Sequence, residues 1–235
     1  MSTLISAIET QARRHLRETT ASDWTSAELV DITIKGIQDL WRPVVDLRQE
    51  YYLTLDTTHV TLPASTSTLA GVPTDTYKIY LIEPRDVSSD SSNKNLIFSP
   101  LDYNHLKFQT ARSRDAIDPQ GDILYYALRG PGGPTGAPSV DVAPQVTSEV
   151  LLSFVYVPTL PPLASTDIIP IPGEADNALI AWTVAFARAK EREDRSPDPS
   201  WIAIYATEKS NLLNSLGIRQ LQEPIIVDGV FDAYL

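Results

Sequence analysis

Between residues 24 and 41 the chain reads WTSAELVDITIKGIQDLW, and its apolar positions recur at helical rather than strand spacing. Leu29, Ile32, Thr33, Gly36, Ile37 and Leu40 fall on one face of such a helix. Thr25 is placed as N-cap, Glu28 three residues on completes a capping box, and Trp24 ahead of the cap can fold onto Leu29 as a hydrophobic staple. Pro43 is expected to end the helix, because a proline offers no N–H to the ladder. A glycine such as Gly36 inside the stripe costs roughly 1 kcal/mol relative to Ala, and marks close approach by another helix. Upstream, LISAIETQARRHLRE (residues 4–18) sets Leu4, Ile5, Ile8, Ala12, His15 and Leu16 on one face. Its Arg13, Arg14 and Arg17 lie in the last turns, where cations complement the helix dipole. Together the two segments predict an α-hairpin.

From residue 51 the period changes. YYLTL, HVTL, YKIYLIE, NLIF, DILYYAL and EVLLSFVYV are short runs of β-branched, aromatic and aliphatic residues, separated by Pro, Gly, Ser and Asp. They predict a small antiparallel sheet or sandwich. LPASTSTLAGVPTDT (62–76) reads as a turn or loop, SSDSSNKN (88–95) as a hairpin tip and RGPGGPTGAPS (129–139) as a long irregular loop. LDYNHLKFQTARSRD (101–115) is expected to hold a short helix and turn.

Helical spacing returns in GEADNALIAWTVAFARAKERED (173–194), with Ala178, Leu179, Trp182, Ala185, Phe186 and Ala189 on one side. Glu174 and Asp176 begin it and Arg188, Lys190 and Arg192 end it, both favourable to the dipole. Asp198 as N-cap and Pro199 at N1 open a further helix, which Gly217 is expected to close as C′. IRQLQEPIIVDGVFDAYL (218–235) is apolar without a clear period, and such a tail docks on its own body or on a neighbour. The expected fold is α+β: a helical bundle of N- and C-terminal α-hairpins, an inserted antiparallel β region and an extended C-terminal arm. The boundaries are 1–50 for the first hairpin, 51–172 for the β-rich insertion, 173–217 for the second hairpin and 218–235 for the arm.

Composition narrows the function. Hydrophobic residues make up 43% and charged residues 21%, the balance of a globular chain. No run is long and apolar enough to span a membrane, and no basic-then-apolar leader opens the chain, so a soluble protein made in a cytosol is expected. With no cysteine, disulfides, thiolate nucleophiles and thiolate metal sites are excluded. His15, His59 and His105 lie far apart without metal-ligand spacing, so no metal or cofactor is expected. A net charge of −11 argues against gripping nucleic acid, yet suits a wall past which DNA slides; solubility is the plainer reading.

No phosphate-binding glycine loop and no nucleophile elbow occurs, and the glycines of GPGGPTG alternate with prolines that lack the N–H groups such a loop needs. Glu9, Glu18 and Glu28 read as solvated helix carboxylates, and RAKEREDR (188–195) as a salt-bridged helix end. Trp24, Trp41, Trp182 and Trp201 sit on stripes or at helix ends, where packing explains them better than ligand binding. A small hydrolase would need a Ser–His–Asp constellation that nothing local supports.

The segment LISAIETQARRHLRETTASDWTSAELVDITIKGIQDLW resembles the opening of tailed-bacteriophage head-to-tail adaptor (connector, neck) proteins. The order that follows agrees: YYLTL, YKIYLIEP, ILYYAL, then EVLLSFVYVPTLPPLASTDIIPIPGEADNALIAWTVAFARAKE, whose D-x-I-P-I-P run and Ala-rich helix are similar to the C-terminal half of these adaptors. The resemblance spans residues 4–216 and is architectural. It implies a non-enzymatic virion protein in a homo-oligomeric, dodecameric ring between the portal protein and a downstream tail or nozzle protein. Genomic DNA would pass through without specific binding, and no membrane would be involved. The family's portal-docking arm would correspond here to Leu221, Pro224, Ile225, Ile226, Val227, Val230, Phe231, Tyr234 and Leu235. Ring packing would fall to the helical stripes. The alternative is a carbohydrate- or receptor-binding virion or tail protein whose β insertion presents Tyr51, Tyr52, Tyr77, Tyr80, Tyr125 and Tyr126.

Overall fold

Thr25 does cap a helix: its side chain accepts from the Glu28 N–H while the Glu28 carboxylate accepts from the Thr25 N–H, and α2 runs from Ser26 to Leu47. The computed structural model describes residues 3–18, 23–56, 58, 60–84, 96–117, 123–129, 139–192 and 195–222. Among them lie five α-helices and two four-stranded sheets, an α+β fold in two compact units, Met1–Gln49 with Leu160–Leu235, and Glu50–Thr159.

In the first unit α1 (Ile5–Leu16) packs on α2 and on α4 (Asp176–Ala187), and α5 (Pro199–Gln222) packs on α4 and α2. Helix α4 is therefore central, and it buries residues all round: Leu179, Ile180, Ala181, Thr183 and Val184 among them. A helix that is apolar on every side belongs inside a fold. Its single expected stripe was too narrow, because Ile180, Ala181 and Val184 meet neighbours as well. Gly36 is where α2 and α4 come closest: a Cβ there would stand 2.7 Å from Trp182 Cδ1. The Trp182 indole donates to the Ile32 carbonyl at 3.0 Å, holding the ring over the glycine. The α2 stripe thus serves largely the chain's own core, with Leu29, Thr33, Ile37 and Leu40 fully buried and Ile32 half-buried.

Two helix ends differ from expectation. Pro43 lies inside α2, which continues to Leu47 because Val44 and Val45 are fully buried and reward the extra turn. Helix α5 passes through Gly217 to Gln222. Leu216 is fully buried and its carbonyl accepts from the buried Arg48 Nε at 3.0 Å, which draws the last turns of α5 toward the end of α2. Residues 160–172 also belong to this unit, where Ile169 N–H donates to Thr3 O and Ile5 N–H to Asp167 O.

The second unit is a sandwich. Strand β8 (Val150–Pro158) is the hub of one sheet and pairs antiparallel with β1 (Thr54–Leu55), β2 (Val60–Leu62) and β4 (Thr76–Pro84). Because β4 covers nearly all of β8, the short β1 and β2 share its other edge. The other sheet runs β3 (Thr68–Leu69), β7 (Ser139–Ala143), β6 (Ile123–Arg129), β5 (Ile97–Pro100). Its β5 and β6 are parallel, Ile97 beside Ile123, so the β region is mixed rather than purely antiparallel. The physical reason is the connection: a parallel pair needs a long crossover, and here it carries α3 (Leu106–Arg112). Leu62, Ile82, Leu152 and Phe154 meet Phe98, Leu124, Val140 and Val142 in the core, while Phe108 and Ala111 of α3 cover Ala127 and Ala143 on the outer face.

Candidate functional site

The residues expected to form the portal-docking arm, Leu221, Pro224, Ile225, Ile226, Val227, Val230, Phe231, Tyr234 and Leu235, lie outside the described residues, except that the backbone of Leu221 belongs to α5. The same holds for His59 and for the hairpin tip at 88–95. The described surfaces belong to the two compact units.

On the helical unit, the arginines at the end of α1 separate into two kinds. Arg13 is structural: Nη1 donates to Glu18 Oε2 at 2.8 Å and to the Trp24 carbonyl at 3.1 Å, while Nη2 donates to Glu9 at 3.0 Å. Glu18, buried, accepts in turn from the Asp23 and Trp24 N–H groups, so this network holds the loop that leads to the Thr25 cap. Arg14 and Arg17 are exposed beside a cleft they share with Thr10, Arg13 and Glu18. Arg17 sits at φ 59° as the helix turns out, and its N–H donates to Arg14 O. Neither side chain has a hydrogen-bond partner or ion pair among the described residues, so their charge faces outward.

Two cations of the mixed-charge run at 188–195 pair with residues outside it. Lys190 reaches Glu28 at 3.1 Å and Arg188 reaches Asp198 at 3.2 Å. Burial would raise the Asp198 carboxyl, but the bonds from Arg188 and from the Ser200 and Trp201 backbone outweigh it and hold the group below the usual aspartate value. Glu28 is lowered by its Thr25 backbone bond first and then by Lys190. The four tryptophans serve packing: Trp24 Nε1 donates to Ala187 O at 2.9 Å, Trp41 is buried, Trp182 stacks near Phe186 and Tyr205, and Trp201 meets the edge of His15.

On the β unit, the tyrosines named from sequence do not share one face. Tyr125 packs on α3, whereas its neighbour Tyr126 points into the core on the other side of β6. Tyr51 and Tyr80 are exposed, and burial pushes the Tyr52 hydroxyl up to about 12. Sequence reasoning missed a cleft of about 430 Å³ where β4 and β6 part under the loop before α3. Lys78, Ile79, Asp102, His105, Tyr126 and Leu128 line it. The signal available in the sequence was weak, namely Asp102, Tyr103 and His105 clustered ahead of a helix between two strands.

Among the described residues no group of three or more His, Asp or Glu is placed to hold a metal ion, and no helix is long and apolar enough to cross a membrane. His15 and His105 belong to different units, and His105 Nδ1 caps α3 by accepting the Lys107 N–H.

The order of elements, helices flanking a β unit, is the plan that the opening segment and the D-x-I-P-I-P run suggested. A family model described as SU10 adaptor protein matches residues 2–227, nearly the whole chain. No curated protein matches it significantly. The family is a phage adaptor family, which implies a virion component associated with other phage head and tail proteins and a non-enzymatic role. The chain belongs to the SU10 adaptor protein family.

Proposed function

We propose that this protein forms a homo-oligomeric, dodecameric ring in the virion neck, between the portal protein above and a tail or nozzle protein below, and continues the channel for genomic DNA. The family match across residues 2–227 carries this reading. The mechanism is geometric. The helical unit, built about the buried α4, is a stiff body, and stiffness is what a ring segment needs to hold its neighbours at a fixed angle. The apolar residues beyond α5, from Pro224 to Leu235 with Leu221 at the helix end, act as the portal-docking arm. A net charge of −11 suits a channel through which DNA moves during packaging and ejection, since an acidic wall does not hold a polyanion.

Since the α2 stripe is largely spent on the chain's own core, ring contacts fall to the outer helix faces, where Arg14 and Arg17 suit an acidic patch on a neighbour. The protein is made in the host cytoplasm and becomes part of the particle on assembly. The test is sedimentation of the purified chain alone and mixed with the portal ring of its parent virus. A large complex with the expected ring stoichiometry, present only in the mixture, is the predicted result. Absence of any association would remove the adaptor placement.

A further inference from the structure

The two outer faces of the sandwich carry apolar features of different shape. On the first sheet, Phe154 and Tyr156 of β8 point into the core, so Val155 between them points out. Leu55 of β1 and Leu81 of β4 both stand opposite Val155 in the strand register. The three side chains therefore form one row across three strands, with Leu55 50% and Leu81 37% exposed. A single exposed aliphatic residue is ordinary, whereas apolar residues contiguous in register make a patch. Glu83, opposite Ser153, lies on the same face as Leu81; it is exposed and makes no ion pair among the described residues. The one cation of β4, Lys78, stands toward the strand's other end, so the row is acidic at its Glu83 end.

On the second sheet the outer face is covered by α3, whose Phe108 and Ala111 meet Ala127 and Ala143. Helical spacing brings Leu106 and Thr110 out on the opposite side of α3. Leu106 is 79% exposed, more than any other large apolar residue described. Lys107 and Arg114 are exposed near it without an ion pair among the described residues, and α3 contains no acidic residue. One outer face thus presents a protruding leucine with cations, and the other an apolar row with a carboxylate. The outer faces of a sandwich point in opposite directions. Contact between these unlike faces leaves each copy with one of them open for a further copy, and such contacts close into rings.

We propose that, in addition to the outer helix faces, the β units of neighbouring copies of this chain meet through these unlike faces. Leu106 of one copy seats on Val155 between Leu55 and Leu81 of the next, and Lys107 and Arg114 come beside Glu83. The proposal rests on the ring reading for the presence of adjacent copies, and assigns which face meets which.

The test exploits the absence of cysteine from the chain. Lys107→Cys and Glu83→Cys are made singly and together in the full-length protein, leaving Arg114 and the apolar row to hold the contact. Each protein is treated with a short bis-maleimide, alone and after mixing with the portal ring. The double variant is expected to give a ladder of cross-linked copies, the two single variants mixed together to stop at pairs, and either single variant by itself to give none. Adding Leu106→Asp, at an exposed position that folding does not depend on, should cut the cross-linked yield about tenfold. Pairs formed by one single variant by itself would show a two-fold contact of like faces and overturn the proposal. A full ladder in the presence of Leu106→Asp would overturn it too, as would the absence of cross-links. Portal binding without cross-links would leave the ring reading standing while this contact falls, and a ladder without portal binding would uphold the contact while the adaptor placement falls.

Discussion

At Gly36 a single hydrogen decides how closely two helices approach. Alanine there would gain up to about 1 kcal/mol of helix propensity. Its Cβ, however, would stand 2.7 Å from Trp182 Cδ1 and 3.0 Å from Cγ. The indole cannot swing aside cheaply, being bonded to Ile32 O and packed against Phe186 and Tyr205. Overpacking of this kind costs roughly 1–3 kcal/mol, so Gly36→Ala should lower the urea midpoint, and a raised midpoint would contradict the packing. Asp39 gives a second residue-scale prediction. Burial would raise its carboxyl, but hydrogen bonds from Lys209 and Tyr205 outweigh that and hold it below its ordinary value. A carboxyl lowered in the folded state stabilises above its unfolded value, about 3.9 for Asp, and that stabilisation is lost as pH falls through the folded value. Asp39 is partly exposed, so Asp39→Asn should cost only about 1 kcal/mol at neutral pH. The gap should close in acid, and urea titrations showing the same gap at pH 7 and pH 3 would exclude the linkage.

Helix ends were legible where a side chain makes the cap and illegible where tertiary burial decides. The Thr25–Glu28 box and the Asp198–Pro199 start follow from local chemistry, and both stand as the residues imply. Pro43 and Gly217 follow local rules too, yet distant contacts override them: buried Val44 and Val45 beyond the proline, and Arg48 on the Leu216 carbonyl before the glycine. This difference is measurable. A Gly217 closing the helix as C′ would need a left-handed backbone, and alanine there would destabilise. Within α5 it has ordinary helical geometry, and a Cβ at Gly217 would meet nothing within 4 Å. Gly217→Ala should therefore stabilise by up to about 1 kcal/mol, raising Tm by roughly 2–4 °C. A lowered Tm would return the helix end to Gly217.

For the whole molecule, the sequence pattern conveys that helices flank a β unit but not which strands pair. The run at 150–158 shows no sign that it would serve three partners, because pairing depends on contacts far apart in the chain. Strand β7 sits beside the Pro/Gly-rich stretch and β3 within an expected loop, so neither announces itself. The Tyr126 cleft was hidden for the same reason, since it needs β4 and β6 brought together. The arm is the converse case: its apolar composition was plain, and its role is decided at the level of assembly. Cutting the chain after Gln222 removes residues 223–235 while keeping all of α5, including buried Leu216 and its bond from Arg48. No described core residue is lost, so the circular dichroism spectrum should stay near native. If the arm docks on the portal, co-sedimentation with the portal ring should be abolished. A full-length Phe231→Asp variant should weaken the same complex by placing a charge where an apolar pocket is expected. Retained binding by both variants would move portal docking from the arm to the folded body, with the outward-facing Arg14 and Arg17 the first residues to substitute.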